Sequence, residues 1–314
     1  MTWKGEEKLR AGKYTHEDAL VVRMPDGKLL ASTVDVVTPI VDDPYLFGRV
    51  AATNSISDIY AMGGEPRFAL SVLAYPPAVF GAETVARILQ GAIDTCFDAG
   101  AVLGGGHTVR TQEVLFGLCV VGDFPGGRVL EKAGARDGDL LVLTKPLGNG
   151  ILSTAVKGGR MSADRLTEAI GHMVALNRAA SRVAVENGAT ACTDVTGFGF
   201  LGHLAEMGEA GGVGVTVRSR DVPVLAGALD LAAAGVAPGG TRKNLAFVSD
   251  HTRFAPGIDD AMKLVLADAQ TSGGLLIALP PEGLAGFRAG CEAAAQAFAV
   301  VGRFEGPAGA VRVE

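Results

Sequence analysis

Short β-like runs alternate with amphipathic helical segments along the whole 314-residue chain, and this alternation constrains the fold more than any other feature. In the first half, runs at 19–23 and 28–34 flank Pro25-Asp26-Gly27, a turn signal typical of a hairpin. Asp42-Asp43-Pro44 predicts a helix start, and residues 83–98 carry apolar side chains at helical spacing. Further β-like runs occupy residues 67–75, 101–105 and 114–122. The pattern predicts an α/β or α+β fold.

The second half repeats the alternation after a polar, glycine-rich junction. Phe124–Gly127 and the stretch around Arg136-Asp137-Gly138 are the best boundary candidates, and a chain of this length favours two domains. We therefore predict domains at 1–125 and 126–314. In the second of these, strands are predicted at 139–145, 189–194, 273–280 and 299–305, helices at 162–187, 200–211, 224–235 and 285–297, and a Pro/Gly loop at 237–241.

Composition and charge exclude several classes of protein. No apolar run approaches the ~18 residues that a membrane span needs, and the start, MTWKGEEKLR, has no apolar signal core. The net charge is −6, without a Lys/Arg run that would bind nucleic acid. The four cysteines, at 96, 119, 192 and 291, form no C-x-x-C pair and are expected to be reduced, buried thiols. We expect a cytoplasmic protein that binds neither nucleic acid nor a membrane.

A nucleotide could be held in more than one way. The pattern G-x-x-x-x-G-K-[ST] is missing from the sequence, whereas Gly197, Gly199 and Gly202 match G-x-G-x-x-G, with Asp221 roughly 20 residues further on. That match allows a dinucleotide site. The strand before it ends in Asp194, however, and a carboxylate there would repel a pyrophosphate unless a metal ion intervened. The dinucleotide interpretation is therefore the weaker one.

Four aspartates stand beside predicted turns or within helices: Asp18, Asp35, Asp58 and Asp194. An aspartate at a strand end is usually a turn former or helix cap. Asp58 is different, because it lies within an apolar helical stretch, four residues after Asn54 and on the same side of the helix. Mg²⁺ is typically held by one or two carboxylates, with water and substrate phosphates completing its coordination. Together the four predict a magnesium–phosphate site.

A glycine-rich segment, Gly104-Gly105-Gly106-His107-Thr108, follows a predicted strand. Its backbone amides could surround a phosphate, and His107 and Thr108 could add donors. A plain glycine-rich connection explains the segment equally well.

Six motifs follow one another along the chain: STVDVVTPIVDDPYLFGRVAATNSISDIYAMGGEP (32–66), GGGHT (104–108), TKPLGNGIL (144–152), TDVTGFGFLGHLAEM (193–207), APGGTRKN (237–244) and DAQTSGGLL (268–276). These motifs and their order resemble those of selenophosphate synthetase (selenide, water dikinase), within a superfamily that includes aminoimidazole ribonucleotide synthetase, thiamine monophosphate kinase and a hydrogenase-maturation protein. The motifs cover nearly the whole chain. TDVTGFG-x-LGH and QTSGGLL are the most particular to selenophosphate synthetase.

The resemblance implies two α/β domains of the aminoimidazole ribonucleotide synthetase type, with the N-terminal sheets of two subunits paired in a homodimer. It implies that ATP, selenide and water give selenophosphate, AMP and phosphate, with Mg²⁺ bound. By position, the implied metal ligands are Asp18, Asp58 and Asp194. The implied ATP contacts are Thr15, His16, Glu17, Asp35, Asp58, Gly106, His107 and Thr108.

The chain departs from this family at its start. The family carries an upstream Gly-rich segment with a Cys or selenocysteine and, three residues later, a Lys; neither is present, so the catalytic residues cannot be assigned. Lys4 is too close to Asp18 to take the place of that lysine. A chain shortened by a selenocysteine codon read as stop is our preferred explanation, and the upstream DNA should then encode the segment. The alternatives are a catalytically incomplete ATP-binding paralogue and another small-molecule kinase of the superfamily.

Overall fold

The structure, a computed structural model, describes residues 9–11 and 16–314. They fall into two units: residues up to Val129 together with Val174–Arg178, and residues 130–173 together with 179–314. The first division lies shortly after the predicted boundary at 125/126. The sequence carries no signal for the return of Val174–Arg178 to the first unit.

The described part of the first unit contains a mixed sheet in the order β1-β2-β3-β6-β4-β5 and two long helices. Its strands are β1 (Leu9–Ala11), β2 (Leu20–Arg23), β3 (Leu29–Val37), β4 (Glu65–Tyr75), β5 (Val102–Arg110) and β6 (Leu115–Asp123). Its helices are α1 (Pro44–Ala61) and α2 (Ala82–Asp98). The predicted hairpin is confirmed as β2 and β3, which pair antiparallel around Gly27, a residue with φ 86°.

Helix α1 lies against the sheet and is fixed there by local sequence. Asp43 caps its N-terminus by accepting from the Leu46 N–H at 2.9 Å, and Pro44 occupies the first turn, as predicted. Halfway along, the Ser55 hydroxyl donates to the Asp35 carbonyl of β3 and accepts from the Leu118 N–H of β6, both at 3.0 Å. These two hydrogen bonds set the rotation of α1 over the sheet.

Helices α1 and α2 approach so closely that glycine is required at the contact. A Cβ on Gly48 would lie 2.0 Å from the Ile88 carbonyl oxygen, and one on Gly91 would lie 2.1 Å from the Tyr45 carbonyl oxygen. The apolar core of the unit lies between these helices and the sheet, with Ile56, Ile59, Phe116 and similar side chains fully buried.

The described part of the second unit contains a mixed sheet in the order β10-β13-β9-β12-β7-β11-β8. Its strands are β7 (Leu140–Leu143), β8 (Ala191–Asp194), β9 (Val215–Val217), β10 (Thr252–Phe254), β11 (Leu275–Leu279), β12 (Ala299–Phe304) and β13 (Val311–Val313). Its helices are α3 (Asn149–Lys157), α4 (Thr167–Val174), α5 (Arg178–Glu186), α6 (Gly199–Gly211), α7 (Ala228–Ala233), α8 (Gly239–Val248), α9 (Asp260–Leu266) and α10 (Leu284–Ala293). One core of aliphatic side chains and Phe200 and Phe304 joins sheet and helices.

Two sequence predictions for this unit are corrected. The Pro/Gly loop predicted at 237–241 is helical from Gly239 onward, because Gly239, Gly240 and Thr241 form the first turn of α8. The helical stretch predicted at 162–187 is interrupted, since α4 ends at Val174 and α5 begins at Arg178. The short strands β9, β10 and β13 were not predicted, since three residues leave little periodicity to detect. Within the described ranges, no helix has both the length and the apolar character needed to cross a bilayer.

Candidate functional site

Two of the predicted aspartates, Asp35 on β3 and Asp58 on α1, lie where the helix faces the strand. Side chains alternate along a strand, so Thr33 and Asp35 share the face of β3 that looks toward α1, while Val34 lies 60% exposed on the other face. The Asn54 amide donates to the Asp35 carboxylate at 2.8 Å, and the Thr33 hydroxyl donates to Asp58. Asn54 and Asp58, which are four residues apart on α1, thus face Thr33 and Asp35, which are two apart on β3.

The electrostatics of this cluster favour a cation. Burial raises the pKa of Asp35; the hydrogen bond from Asn54 opposes this, and the negative charge of Asp18 adds to the rise. Asp58 is only 8% exposed. We call Asp18, Asp35 and Asp58 the acidic cluster. Carboxylates that disfavour one another's charge become favourable when a metal ion neutralises them.

The donor set of the acidic cluster fits Mg²⁺, because all its ligand atoms are hard carboxylate oxygens. Among residues 9–11 and 16–314, no group of three or more His, Cys, Asp or Glu side chains is arranged to hold a metal ion by itself. Mg²⁺ commonly takes one or two carboxylates, with phosphate oxygens and water as its other ligands. These carboxylates would therefore hold a metal ion only together with ligands from outside the protein.

The segment before β2 contributes Asp18 to this unit. His16 is exposed and has a positive φ of 49°, and Glu17 and Asp18 are partly buried. Thr15, also a predicted ATP contact, and Lys4 lie outside the described residues.

The glycine-rich segment 104–108 is not a connecting loop, which corrects one of the two interpretations left open. It lies inside β5, which pairs parallel with β4 at the edge of the described sheet, with an irregularity opposite Ala69 and Ser71. A Cβ on Gly106 would lie 2.0 Å from the Ser71 carbonyl oxygen, so the strands can meet there only with glycine. His107 and Thr108 are exposed on this strand.

The fourth aspartate, Asp194, belongs to the second unit and ends β8, where it is 1% exposed. We call residues Asp194–Gly199 the glycine turn; it leads directly into α6. Strand β8 pairs antiparallel with β11 at the sheet edge. A dinucleotide fold needs a parallel βαβ unit here, so the dinucleotide interpretation of Gly197, Gly199 and Gly202 is wrong.

Hydrogen bonds from three directions hold the glycine turn. The Val195 N–H donates to the Gly274 carbonyl at 2.9 Å, and the Gln270 N–H donates to the Thr196 carbonyl at 3.0 Å. From α8, the Asn244 amide donates to the Gly197 carbonyl at 2.8 Å.

The segment 268–274 also binds the TKPLGNGIL motif. Asn149 and Thr271 bond reciprocally: the Asn149 amide donates to the Thr271 carbonyl at 2.9 Å, and the Thr271 N–H donates to the Asn149 side chain at 3.0 Å. The Gln270 side-chain oxygen accepts from the Gly148 N–H at 3.2 Å. Four sequence motifs, far apart in the chain, therefore converge on one hydrogen-bonded region of the second unit.

Asp268 lies at the centre of this region, and sequence reasoning missed it. Its fully buried carboxylate accepts from the Thr241 hydroxyl at 2.9 Å, the Gln270 amide at 2.7 Å, and the N–H groups of Gly150 and Ile151 at 3.0 and 3.1 Å. Burial raises its pKa to about 7, although all four donors oppose the rise. The signal was its place at the start of the DAQTSGGLL motif.

Lys145 is a second functional candidate that sequence reasoning missed. It is 6% exposed, and its ammonium donates to the Ser272 carbonyl at 3.1 Å. Burial lowers its pKa to about 7, and the charge of Asp194 opposes this shift. Ser272 itself has a positive φ of 52°, which is unusual for a residue with a side chain. A buried cation near Asp194 is suited to a site that handles anionic groups.

Comparison with protein families and solved structures agrees with this architecture. The N-terminal domain of AIR synthase related protein matches residues 16–124, and the C-terminal domain matches residues 136–314. The thiamine monophosphate kinase of Aquifex aeolicus has a TM-score of 0.69 at 19% identity, covering 95% of this chain and 91% of its own. Hydrogenase maturation protein HypE in complex with ATP has a TM-score of 0.66 at 19% identity, covering 91% and 81%. The fold and these matches define an AIR synthase related protein.

Relatives with higher sequence identity show which family within this class the chain belongs to. A protein named "Selenide, water dikinase" from Nitratidesulfovibrio vulgaris (strain DP4) is 45% identical over 276 residues, 88% of this chain and 79% of the relative. Proteins of the same name from Geobacter metallireducens and Clostridioides difficile are 43% and 41% identical, covering 89% and 88% of this chain and 81% and 79% of their own lengths. The chain belongs to the selenide, water dikinase family.

Proposed function

We propose that this protein makes selenophosphate from selenide and ATP. The observation that carries the proposal is 41–45% identity, over most of the chain, to proteins named selenide, water dikinase. In the reaction, one phosphoryl group of ATP forms a P–Se bond with selenide. Water takes the other, so that AMP and phosphate are released. The alternatives raised from the sequence, an incomplete paralogue and another kinase of the superfamily, have no observation in their favour.

The nucleotide would bind with Mg²⁺ at the acidic cluster. Asp18 and Asp58 would hold the metal there, and Asp35 would contact ATP. Asp194 is proposed as a metal ligand on the ground of the family resemblance alone. His16, Glu17, Gly106, His107 and Thr108 complete the proposed ATP contacts, together with Thr15. Bound Mg²⁺ supplies positive charge that neutralises the phosphates. The protein's own contribution is to hold the carboxylates in place: Asn54 orients Asp35, and Thr33 orients Asp58.

Phosphoryl transfer depends mainly on aligning the reacting groups and neutralising their charge, and the chain has side chains suited to each task. In the acidic cluster, Asp58 is buried, and hydrogen bonds from Asn54 and Thr33 hold Asp35 and Asp58. In the second unit, Lys145 adds a buried amine whose pKa of about 7 lets it carry or release a proton near neutral pH. We assign no nucleophile or catalytic lysine among the described residues.

The test is selenide-dependent formation of AMP and selenophosphate, followed by phosphorus NMR and nucleotide chromatography. Selenide-dependent AMP supports the proposal, and Asp58→Asn should reduce it. Mg-ATP binding without AMP would instead identify a silent ATP-binding protein. Phosphorylation of another small molecule would identify a different kinase.

We also propose a homodimer formed through the outer face of the first unit's sheet. Val34 is 60% exposed there, Phe68 is 49% and Val102 is 66%, and Leu70 continues the same face. Phe68 and Val102 are directly paired across β4 and β5. Exposed apolar side chains that lie together on a sheet commonly mark an interface.

Cys119 provides a probe of that face. It pairs with Val34 on one side and Leu70 on the other, and it is partly exposed, whereas Cys96, Cys192 and Cys291 are buried. In a dimer its thiol should react slowly with a maleimide. Phe68→Glu should give a monomer in which Cys119 reacts fast, and Val79→Glu, at an exposed apolar position off the sheet, should change neither property. A wild-type monomer with a reactive Cys119 would refute the dimer.

We also propose that the protein is cytoplasmic, because of the state of its cysteines. All four cysteines are free thiols, which is the state expected in a reducing compartment. Fractionation of cells that express the full gene tests this placement.

A further inference from the structure

Behind the glycine turn lies a row of polar side chains that the proposed ATP site does not use. His203, on the second turn of α6, is 4% exposed. Its Nε2 lies 3.2 Å from the Thr196 backbone nitrogen, which donates to it, and 3.2 Å from the Thr196 hydroxyl. Imidazole nitrogens within reach of a backbone N–H are strong acceptors only when they carry no proton.

The contact at Nδ1, on the other side of the ring, favours an Nε2 without a proton. Since Nε2 accepts, a neutral His203 carries its proton on Nδ1, which faces Glu206 Oε2 at 3.4 Å. Lys132, itself 3% exposed, donates to the same Oε2 at 3.1 Å. Burial pushes the pKa of Glu206 upward, but His203 and Lys132 together bring it below its ordinary value. Glu206 is therefore ionised, and its negative charge beside Nδ1 favours the tautomer that carries the proton there.

We propose that His203 is a positioning residue for this enzyme: it fixes the glycine turn and thereby the position of Asp194, a proposed metal ligand. The inference rests on the proposed function for the identity of the substrate, Mg-ATP. Glu206 and Lys132 set the tautomer of His203, and His203 in turn binds the turn through the Thr196 N–H.

The geometry distinguishes positioning from base catalysis. Nε2 has one lone pair, and the Thr196 backbone N–H already occupies it. The imidazole is also covered by the Phe198 ring, whose centroid lies 5.6 Å away. On its outer side the turn is open: a Cβ on Gly197 would have no atom within 4 Å, and Phe198 is 59% exposed. The turn is thus held from within and accessible from outside.

Three variants test the proposal. His203→Gln keeps an acceptor, because its amide oxygen reaches about as far as Nε2. His203→Phe keeps the ring and removes the acceptor. His251→Gln changes an exposed histidine of the same unit and serves as the matched control.

The first readout is hydrogen exchange at the Thr196 amide, which does not depend on activity. Loss of the acceptor should raise its exchange rate about tenfold or more in His203→Phe, while His203→Gln and His251→Gln stay close to wild type. The second readout is Mg-ATP affinity by calorimetry, which should weaken about tenfold in His203→Phe alone. Nitrogen NMR of the wild type should show the Nδ1–H tautomer for His203.

Two results would overturn the proposal. One is unchanged Thr196 exchange in a folded His203→Phe variant, and the other is an Nε2–H tautomer in the wild type. If Thr196 exchange responds as expected but the wild type neither binds Mg-ATP nor forms AMP, the positioning role stands and the proposed function fails. If AMP forms but exchange does not respond, the function stands and the role of His203 fails.

Discussion

Burial and hydrogen bonding have opposite effects on the pKa of Asp268. Replacing Asp268 by asparagine tests which of the two effects is larger. The carboxylate is fully buried and accepts four hydrogen bonds, two of them from the first turn of α3. Donors favour the ionised form, whereas loss of solvent favours the neutral one. Burial is the larger effect and raises the pKa from 3.8 to about 7.

The sign of the pH dependence follows from that direction. Between about pH 4 and pH 7 the folded protein holds a proton on Asp268 that the unfolded chain has lost, so the free energy of unfolding falls as pH rises. Below about pH 4 the contribution is fully present, and above pH 7 it is gone. A rise of about 3 pH units corresponds to roughly 4 kcal/mol in total, of which about 2 kcal/mol is lost between pH 5 and pH 7.

Urea unfolding followed by circular dichroism, at intervals from about pH 5 to pH 8, measures this loss. Asp268→Asn cannot ionise, so the free-energy difference between wild type and variant should shrink by about 2 kcal/mol from pH 5 to pH 7. Thr241→Val, the matched control, removes one donor and keeps the carboxylate, and should extend the loss to higher pH. A difference that grows with pH would refute the reasoning, because it would show that the four donors outweigh burial.

Three further predictions concern the first unit and Asp194. Asp194→Asn and Asp58→Asn should each weaken Mg-ATP binding about tenfold or more, and unchanged nucleotide affinity at low Mg²⁺ in both would contradict the ligand assignment. Gly48→Ala should lower the free energy of unfolding by roughly 1–3 kcal/mol in urea titrations, since its Cβ would meet the Ile88 carbonyl; an unchanged midpoint would count against the close contact. Asn54→Leu should raise the pKa of Asp35 further, as carbon NMR titration would report, because the opposing hydrogen bond is lost.

Part of the acidic cluster could be predicted from sequence, because the residue spacing on a helix and on a strand shows which side chains share a face. Asn54 and Asp58 are four residues apart on a helix, and Thr33 and Asp35 are two apart on a strand, so each pair shares a face before any tertiary contact is known. What the sequence could not show is that the two faces oppose each other, since that depends on the rotation of α1 set by Ser55.

The second unit was harder to predict because its polar contacts are long-range. Asp268 bonds to Gly150 and Ile151, more than a hundred positions earlier, and no local period signals such a partner. The secondary structure of segment 104–108 was hard to predict for another reason. Its glycines suggest a loop, but they lie in a strand, because only glycine permits the close approach of β5 to Ser71.

Buried carboxylates in this chain differ in what surrounds them, and the difference separates structural groups from ligand-binding ones. Asp268 is surrounded by donors and links α3, α8 and the 268–274 segment, so it needs no ion to remain buried. Burial raises the pKa of Asp35 too; a single donor, Asn54, opposes the rise, and the negative charge of Asp18 adds to it. A carboxylate whose neighbour is another carboxylate costs free energy until a cation arrives. If Mg-ATP binds at the acidic cluster as we propose, its metal ion would relieve this unfavourable interaction.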